Sequence, residues 1–268
     1  MRPHPPHPYL DPRGPDGTPL RVTALAHRGF SHGRENLENS LAAFAAAVDL
    51  GFRYVETDAH GTADGVAVAL HDASLDRTTD AAGRVADLPW SVVGRARIGG
   101  TEPVPRLDDV LGTWSGLCVN IDVKEDSGVA PTAEAIERTG AHDRVCVTSF
   151  DVRRRRATLA RLSRPVATSA GRREVVGFVA GARLRADALV RRALRDVHAL
   201  QVPVGEGRVR VVDATTVAAA HRAGRPVHVW TINDPEEMHR LLDLGVDGLV
   251  TDRADLLREV LLARGQWA

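Results

Sequence analysis

The chain has 268 residues, 43% of them hydrophobic, and its 35 basic and 35 acidic residues cancel to a formal net charge of zero. That balance excludes the broad positive field on which nucleic-acid or anionic-membrane binding depends, so the expected partner is a small molecule, with no nucleic acid and no stable membrane insertion. Only two cysteines occur, Cys118 and Cys146, each in an apolar run and in no CxxC pair, which argues for buried free thiols and against a zinc site or disulfide framework.

Residues 1–20 are rich in Pro, Gly and His, with no apolar stretch that would serve as a signal peptide, and no later run reaches transmembrane length. They read as a flexible tail ahead of a single domain over 21–268, in a soluble, cytoplasmic chain; His4 and His7 belong to that tail, with adventitious metal binding as the alternative. Val22 to His27 reads as a first strand, and Asn39 to Leu50 as a helix that Asn39 caps and Gly51 ends. Phe52 to Asp58 is the second strand, and Val66 to His71 a short third run after the Ala63-Asp64-Gly65 turn. The pattern then lapses into Gly, Pro, Asp and Thr, which marks 73–112 as an insertion.

Alternation resumes with a strand over Leu117 to Lys124, a helix near Thr132 to Thr139 and a strand over Arg144 to Phe150. Helices near Val152 to Leu162 and Ala186 to Asp196 flank a short Pro165 to Ser169 run. Pro226 to Trp230 and Val246 to Asp252 read as the last strands, with helices near Pro235 to Leu244 and Ala254 to Arg264. Strands separated by helices imply right-handed parallel crossovers in a closed or doubly wound sheet. Length and regular alternation favour an α/β fold of the TIM (β/α)8 barrel type, with a small insertion after the second barrel strand region.

Charged residues end three of these runs: His27-Arg28, Glu56-Thr57-Asp58, and Asn120-Ile121-Asp122-Val123-Lys124. Alternation along a strand puts Glu56 and Asp58 on one face, where two carboxylates repel unless a cation or proton lies between them. With Asp122 they offer an all-oxygen set that suits Mg²⁺ or Ca²⁺ and not zinc; the alternative is rim carboxylates paired with arginines. Lys124 is the chain's one lysine, on the face of Asp122, and neighbouring carboxylates would keep it protonated. A phosphate or a developing negative charge is its natural partner. Two imidazoles, His27 and His71, would let one group accept a proton while the other donates one, and Arg28 can fork onto phosphate oxygens. His60 continues the face of Glu56 and Asp58. Trp230 ends a strand, as a stacking surface at a barrel mouth or as core. Asp252 reads as a brace for backbone or a rim arginine.

The ordered set His27-Arg28-Gly29, Glu38-Asn39-Ser40, Glu56-Thr57-Asp58, His71-Asp72, Asn120-Ile121-Asp122-Val123-Lys124 and Gly245 to Asp252 resembles the glycerophosphodiester phosphodiesterase family. The resemblance runs from Val22 to the C-terminal helix and implies a TIM barrel that hydrolyses glycerophosphodiesters to glycerol 3-phosphate and an alcohol. It implies one divalent cation, Mg²⁺ or Ca²⁺ with Mn²⁺ as a further candidate, at Glu56 and Asp58. His27 and His71 would be the acid and base, Arg28 and Lys124 the phosphate clamp. Asp122 departs from the family's usual Glu, a shorter reach that bears on ligation, and Ser40 from its usual Thr.

Three other readings compete. A phospholipase D-like or lysophospholipid-cleaving enzyme needs an apolar surface beside the barrel mouth, and Trp90, Val92, Val93 and Ile98 of the insertion are few for that. A Schiff-base aldolase would use Lys124 covalently, and a non-catalytic phosphate-ester binding barrel would have no need of two histidines.

Overall fold

Runs of Val, Ile, Leu and Ala, each followed by an Ala- or Arg-rich helical stretch, fold into eight βα units in the computed structural model, which describes residues 7–11, 22–33 and 37–267. The barrel strands are β1 (Thr23–His27), β2 (Tyr54–Gly61), β3 (Cys118–Val123), β4 (Val145–Thr148), β5 (Ala167–Thr168), β6 (Leu200–Pro203), β7 (Val227–Trp230) and β8 (Gly248–Thr251). Each pairs in parallel with its sequence neighbour, and β8 with β1, while a parallel bridge from Ser169 to Ala199 joins β5 to β6. The sheet is therefore continuous around a TIM-type barrel, whose loops at the strands' C-terminal ends are the usual site of chemistry.

Several expected boundaries change. Ser40, not Asn39, caps the first helix, Leu41–Asp49, by accepting from the Ala43 amide. The third helix starts at Val129 rather than Thr132, with Pro131 in its first turn, a position that tolerates the missing N–H. Strand β6 and the helices Arg172–Arg183 and Ala214–Arg222 have no counterpart in the sequence reading. Gly177 and Gly181 weaken the helical pattern of Arg172–Arg183, yet Gly181 has a packing role: a Cβ there would meet the Val190 nitrogen at 3.0 Å.

Val68, Leu70, Leu75, Val85, Val93 and Ile98 form a small separate core beneath the insertion. Helix Leu107–Thr113, counted with the insertion in the sequence, instead buries Leu107, Val110 and Leu111 in the main core and connects β2 to β3. Part of the supposed flexible tail is also packed. Tyr9 is buried against Leu25, Tyr54, Cys146, Ala167 and Val250, its ring edge-on to Tyr54 at 5.2 Å, and its carbonyl accepts from the Tyr54 hydroxyl at 2.8 Å. His7, beside it, is buried and its Nδ1 accepts from the Tyr9 amide; His4 lies outside the described residues. Cys146 is buried and Cys118 half-buried, both free, and burial pushes the Cys146 thiol up to about 12. Among the described residues no helix is long and apolar enough to cross a membrane.

His228 of β7 is buried inside the barrel, which pushes its pKa down to about 4. The unfolded chain binds a proton near pH 6.5 that the folded chain refuses, so stability falls as pH drops from about 6.5 to about 4 and rises in the other direction. The expected loss is roughly 3 kcal/mol. Urea midpoints measured between pH 4 and 7 should show this slope in the wild type and not in His228→Gln; equal slopes would refute it.

Candidate active site

Strand register places the chemistry. His27 at the end of β1 lies opposite Glu56 of β2, and Asp58 lies opposite Asp122 of β3. The chain leaves β1 through two left-handed residues, Arg28 at φ 55° and Gly29 at φ 84°. Arg28 is held there by donating its amide to the Glu56 carbonyl at 2.9 Å and accepting from the Asn39 amide at 2.9 Å. Any Cβ on Gly29 would come within 2.6 Å of the Ala43 backbone, so the turn requires glycine. Asn39 is itself left-handed, at φ 62°, which turns its amide inward: Nδ2 donates to Asp58 Oδ2 at 3.0 Å and Oδ1 accepts from the Thr57 hydroxyl at 2.8 Å.

The three carboxylates are buried, and the cations beside them set their charge. Lys124 Nζ sits 2.8 Å from Asp58 Oδ1 and 2.7 Å from Asp122 Oδ2, and Arg28 Nε lies 3.0 Å from Asp58 Oδ2. Burial works against the Asp58 anion, but Lys124 and Arg28 outweigh it and hold this carboxyl below its usual range. Asp122, with Lys124 alone for compensation among its strong partners, is pushed up by burial. Burial and the neighbouring Asp58 charge push Glu56 up to about 8. Lys124, despite burial, is raised by the two aspartates and stays protonated.

Both histidines are fixed through Nδ1. His27 Nδ1 is 2.6 Å from Asp252 Oδ1, and His71 Nδ1 is 2.6 Å from Asp72 Oδ1. A carboxylate only accepts, so each Nδ1 carries the hydrogen and each Nε2 is left as the nitrogen for proton exchange. Burial opposes a charge on His27, yet Asp252 and Glu56 overcome it and raise its pKa. Asp252 is in turn held by Asn233, whose Nδ2 donates to Oδ2 at 2.8 Å. On the other side Arg77 clamps Asp72 (2.6 Å) and Glu38 (2.6 Å), and Glu38 also accepts from Arg28 at 3.1 Å. Arg77 holds the Asp72 carboxyl well below the usual carboxylate range.

One cavity of about 900 Å³ is lined by His27, Arg28, Glu56, Asp58, His71, Asp122, Lys124 and Trp230, so the structure brings all eight sequence-derived candidates together. His60 is not among its lining; β2 runs past the rim to pair with Ala67–Ala69, and His60 Nε2 meets the His71 carbonyl at 3.1 Å. One reading is corrected: Asp252 braces a histidine rather than backbone or a rim arginine. Glu38 joins two arginines, Arg28 and Arg77. Phe150, given no role in the sequence reading, packs edge-on to Trp230 at 5.8 Å and lies 5.8 Å from Lys124 Nζ. Its aromatic character in an aromatic-poor chain, directly after strand β4, was the available signal.

Among the described residues no three His, Cys, Asp or Glu groups close up as a ligand cluster; Lys124 stands between Asp58 and Asp122. Glu56 Oε2 and Asp122 Oδ1, however, are buried without a hydrogen-bond partner. Orphaned carboxylate oxygens facing one cavity fit a hard divalent cation, which accepts oxygen ligands in flexible number.

A sequence model of the glycerophosphoryl diester phosphodiesterase family matches residues 27–256. A Mycobacterium tuberculosis protein named probable glycerophosphodiester phosphodiesterase 2 is 46% identical over 244 residues, 91% of this chain and 92% of that protein. Among solved structures, a glycerophosphodiester phosphodiesterase from Agrobacterium tumefaciens superposes with a TM-score of 0.73 at 24% identity, covering 89% of this chain and 98% of that one. A phosphodiesterase from Oleispira antarctica, solved with the product sn-glycerol-3-phosphate, superposes at 0.72 with 23% identity over 90% of this chain and 97% of that one. The family match spans most of the chain and the site cavity falls within it, so this protein belongs to the glycerophosphoryl diester phosphodiesterase family.

Proposed function

We propose that the chain hydrolyses glycerophosphodiesters to glycerol 3-phosphate and an alcohol, using His27 and His71 for proton transfer and one divalent cation at Glu56, Asp58 and Asp122. The observation that carries this reading is the pair of histidines, each tied through Nδ1 to a carboxylate, on the cavity that also holds the three buried carboxylates. One imidazole takes the proton of the attacking oxygen, from water or from the substrate's own glycerol hydroxyl, and the other gives a proton to the departing alcohol. Arg28 and Lys124 offset the phosphate charge, and Trp230 offers a face to the glycerol or the leaving group. Mg²⁺, Ca²⁺ or Mn²⁺ held by the carboxylates would supply Lewis-acid stabilisation of phosphoryl charge.

Release of glycerol 3-phosphate from glycerophosphocholine, measured with EDTA and then with each cation added back, tests the reading. Turnover that EDTA stops and a cation restores is expected. Chelator-resistant turnover would remove the cation from the proposal, and no turnover from folded protein with any cation would remove this substrate class.

Asp252 is a positioning residue here. In Asp252→Asn the amide can donate to Nδ1 and so select the wrong tautomer of His27, and kcat is expected to fall on the order of 10²-fold with KM little changed. Asp252→Glu should recover part of the loss. Wild-type kcat in the asparagine variant would mean that the contact is incidental.

A further inference from the structure

The cavity is not uniform. Its inner end holds the charged residues, but its outer wall is made by Val175, Val176 and Val179 of helix Arg172–Arg183 and by Val209 and Val211 at the short hairpin Gly205–Arg210. Val179 lies four residues after Val175 and three after Val176, so it neighbours both on the helix surface, and all three line the cavity. Val176 is 64% exposed and Val209 54%, and Phe150, in the same cavity beside Trp230 and Lys124, is 55% exposed. Single exposed apolar residues need no explanation, but several lining one concave surface form a patch. An exposed ion pair between Arg172 and Glu206 links the helix start to the hairpin beside these two apolar walls of the groove.

We infer that this groove is a subsite for a hydrocarbon chain: the enzyme takes phosphodiesters carrying a single acyl chain, and the valine wall sets that preference. The inference rests on the phosphodiesterase reading above and names a substrate class for it. Continuity with the site decides the occupant. The groove opens from the cavity that holds the histidines, so a chain covalently attached to the phosphodiester reaches it without a second binding event. The apolar side chains Trp90, Val92, Val93 and Ile98 of the insertion, where the sequence looked for such a surface, are absent from the cavity lining. The reaction is unchanged: the oxygen of water joins phosphorus, the P–O bond to the alcohol breaks, and a proton of water ends on the alcohol. Only the hydrocarbon attached to one arm differs.

Two series of substrates test this, each used below its micelle-forming concentration with acyl chains of zero, six, eight and ten carbons. One carries the chain on the glycerol, as 1-acyl-glycero-3-phosphocholines; the other carries it on the alcohol, as glycerophospho-N-acylethanolamines. In at least one series kcat/KM should rise roughly twofold to fourfold per methylene, the share of a buried CH₂ that a half-open groove delivers. Val176→Glu and Val209→Glu, both at exposed positions, should flatten that rise while glycerophosphocholine turnover stays within about twofold of the wild type. The series that rises identifies the arm that faces the wall. Flat series in the wild type, or a rise that survives both glutamates, would overturn the inference and leave the phosphodiesterase reading intact. Folded protein inactive on glycerophosphocholine and on both series would overturn that reading and the inference with it.

Discussion

Alanine at His71 or at His27 is expected to lower kcat/KM for glycerophosphocholine by roughly 10²–10⁴-fold while the protein still folds. Each imidazole is held by a carboxylate at 2.6 Å, and that orientation is what a general acid or base needs before any substrate arrives. Neither side chain is part of the hydrophobic core, so thermal unfolding should change little. Because the two imidazoles act in one reaction, the double variant should lose about as much as the worse single one and not the product of both. Rates within about tenfold of the wild type in either single variant would take that histidine out of proton transfer.

Lys124→Met should destabilise the metal-free protein by about 3 kcal/mol. The lysine lies between two buried aspartates, and removing one partner of a buried ion pair leaves the other charge uncompensated. Asp58 keeps Arg28 and Asn39, so the loss concentrates on Asp122, whose Oδ1 already has no partner. For a chain of this size the melting temperature should drop roughly 6–12 °C. Added Mg²⁺ or Ca²⁺ should recover part of it, about 2.7 kcal/mol at one hundred times the dissociation constant. An unchanged melting temperature would mean that the aspartates do not need the lysine. A low melting temperature that neither cation raises would leave the carboxylates without a metal role. This experiment also bears on Asp122, one methylene shorter than the glutamate usual in the family, because thermal shift reports cation affinity without relying on turnover.

The sequence determined the barrel class and the composition of the site. Alternating strands and helices are local patterns, and charged residues at strand ends are visible because side-chain alternation is a property of the strand itself. Thus Glu56 and Asp58 could be assigned to one face, and Lys124 to the face of Asp122, before any fold was known. The register that sets Asp58 beside Asp122 and His27 beside Glu56 depends on pairing between segments dozens of residues apart, and no local pattern encodes it. Closure had the same character: β6 and the Ser169–Ala199 bridge join short, weakly patterned segments that only the completed sheet makes into strands. Asn39 looked like a helix cap because its type suits one. Its left-handed backbone, held by the hydrogen bond that its N–H donates to the Arg28 carbonyl, gave that role to Ser40 and sent the Asn39 side chain to Asp58. Asp252 lies 225 residues from His27, and only the meeting of β8 with β1 makes them partners. Tyr9 left the supposed tail for a buried cluster with Leu25, Tyr54, Cys146, Ala167 and Val250, where its ring is removed from water, a gain that the local sequence around it does not reveal. Sequence-local chemistry thus fixed which groups the site contains, and long-range pairing and packing decided which of them touch.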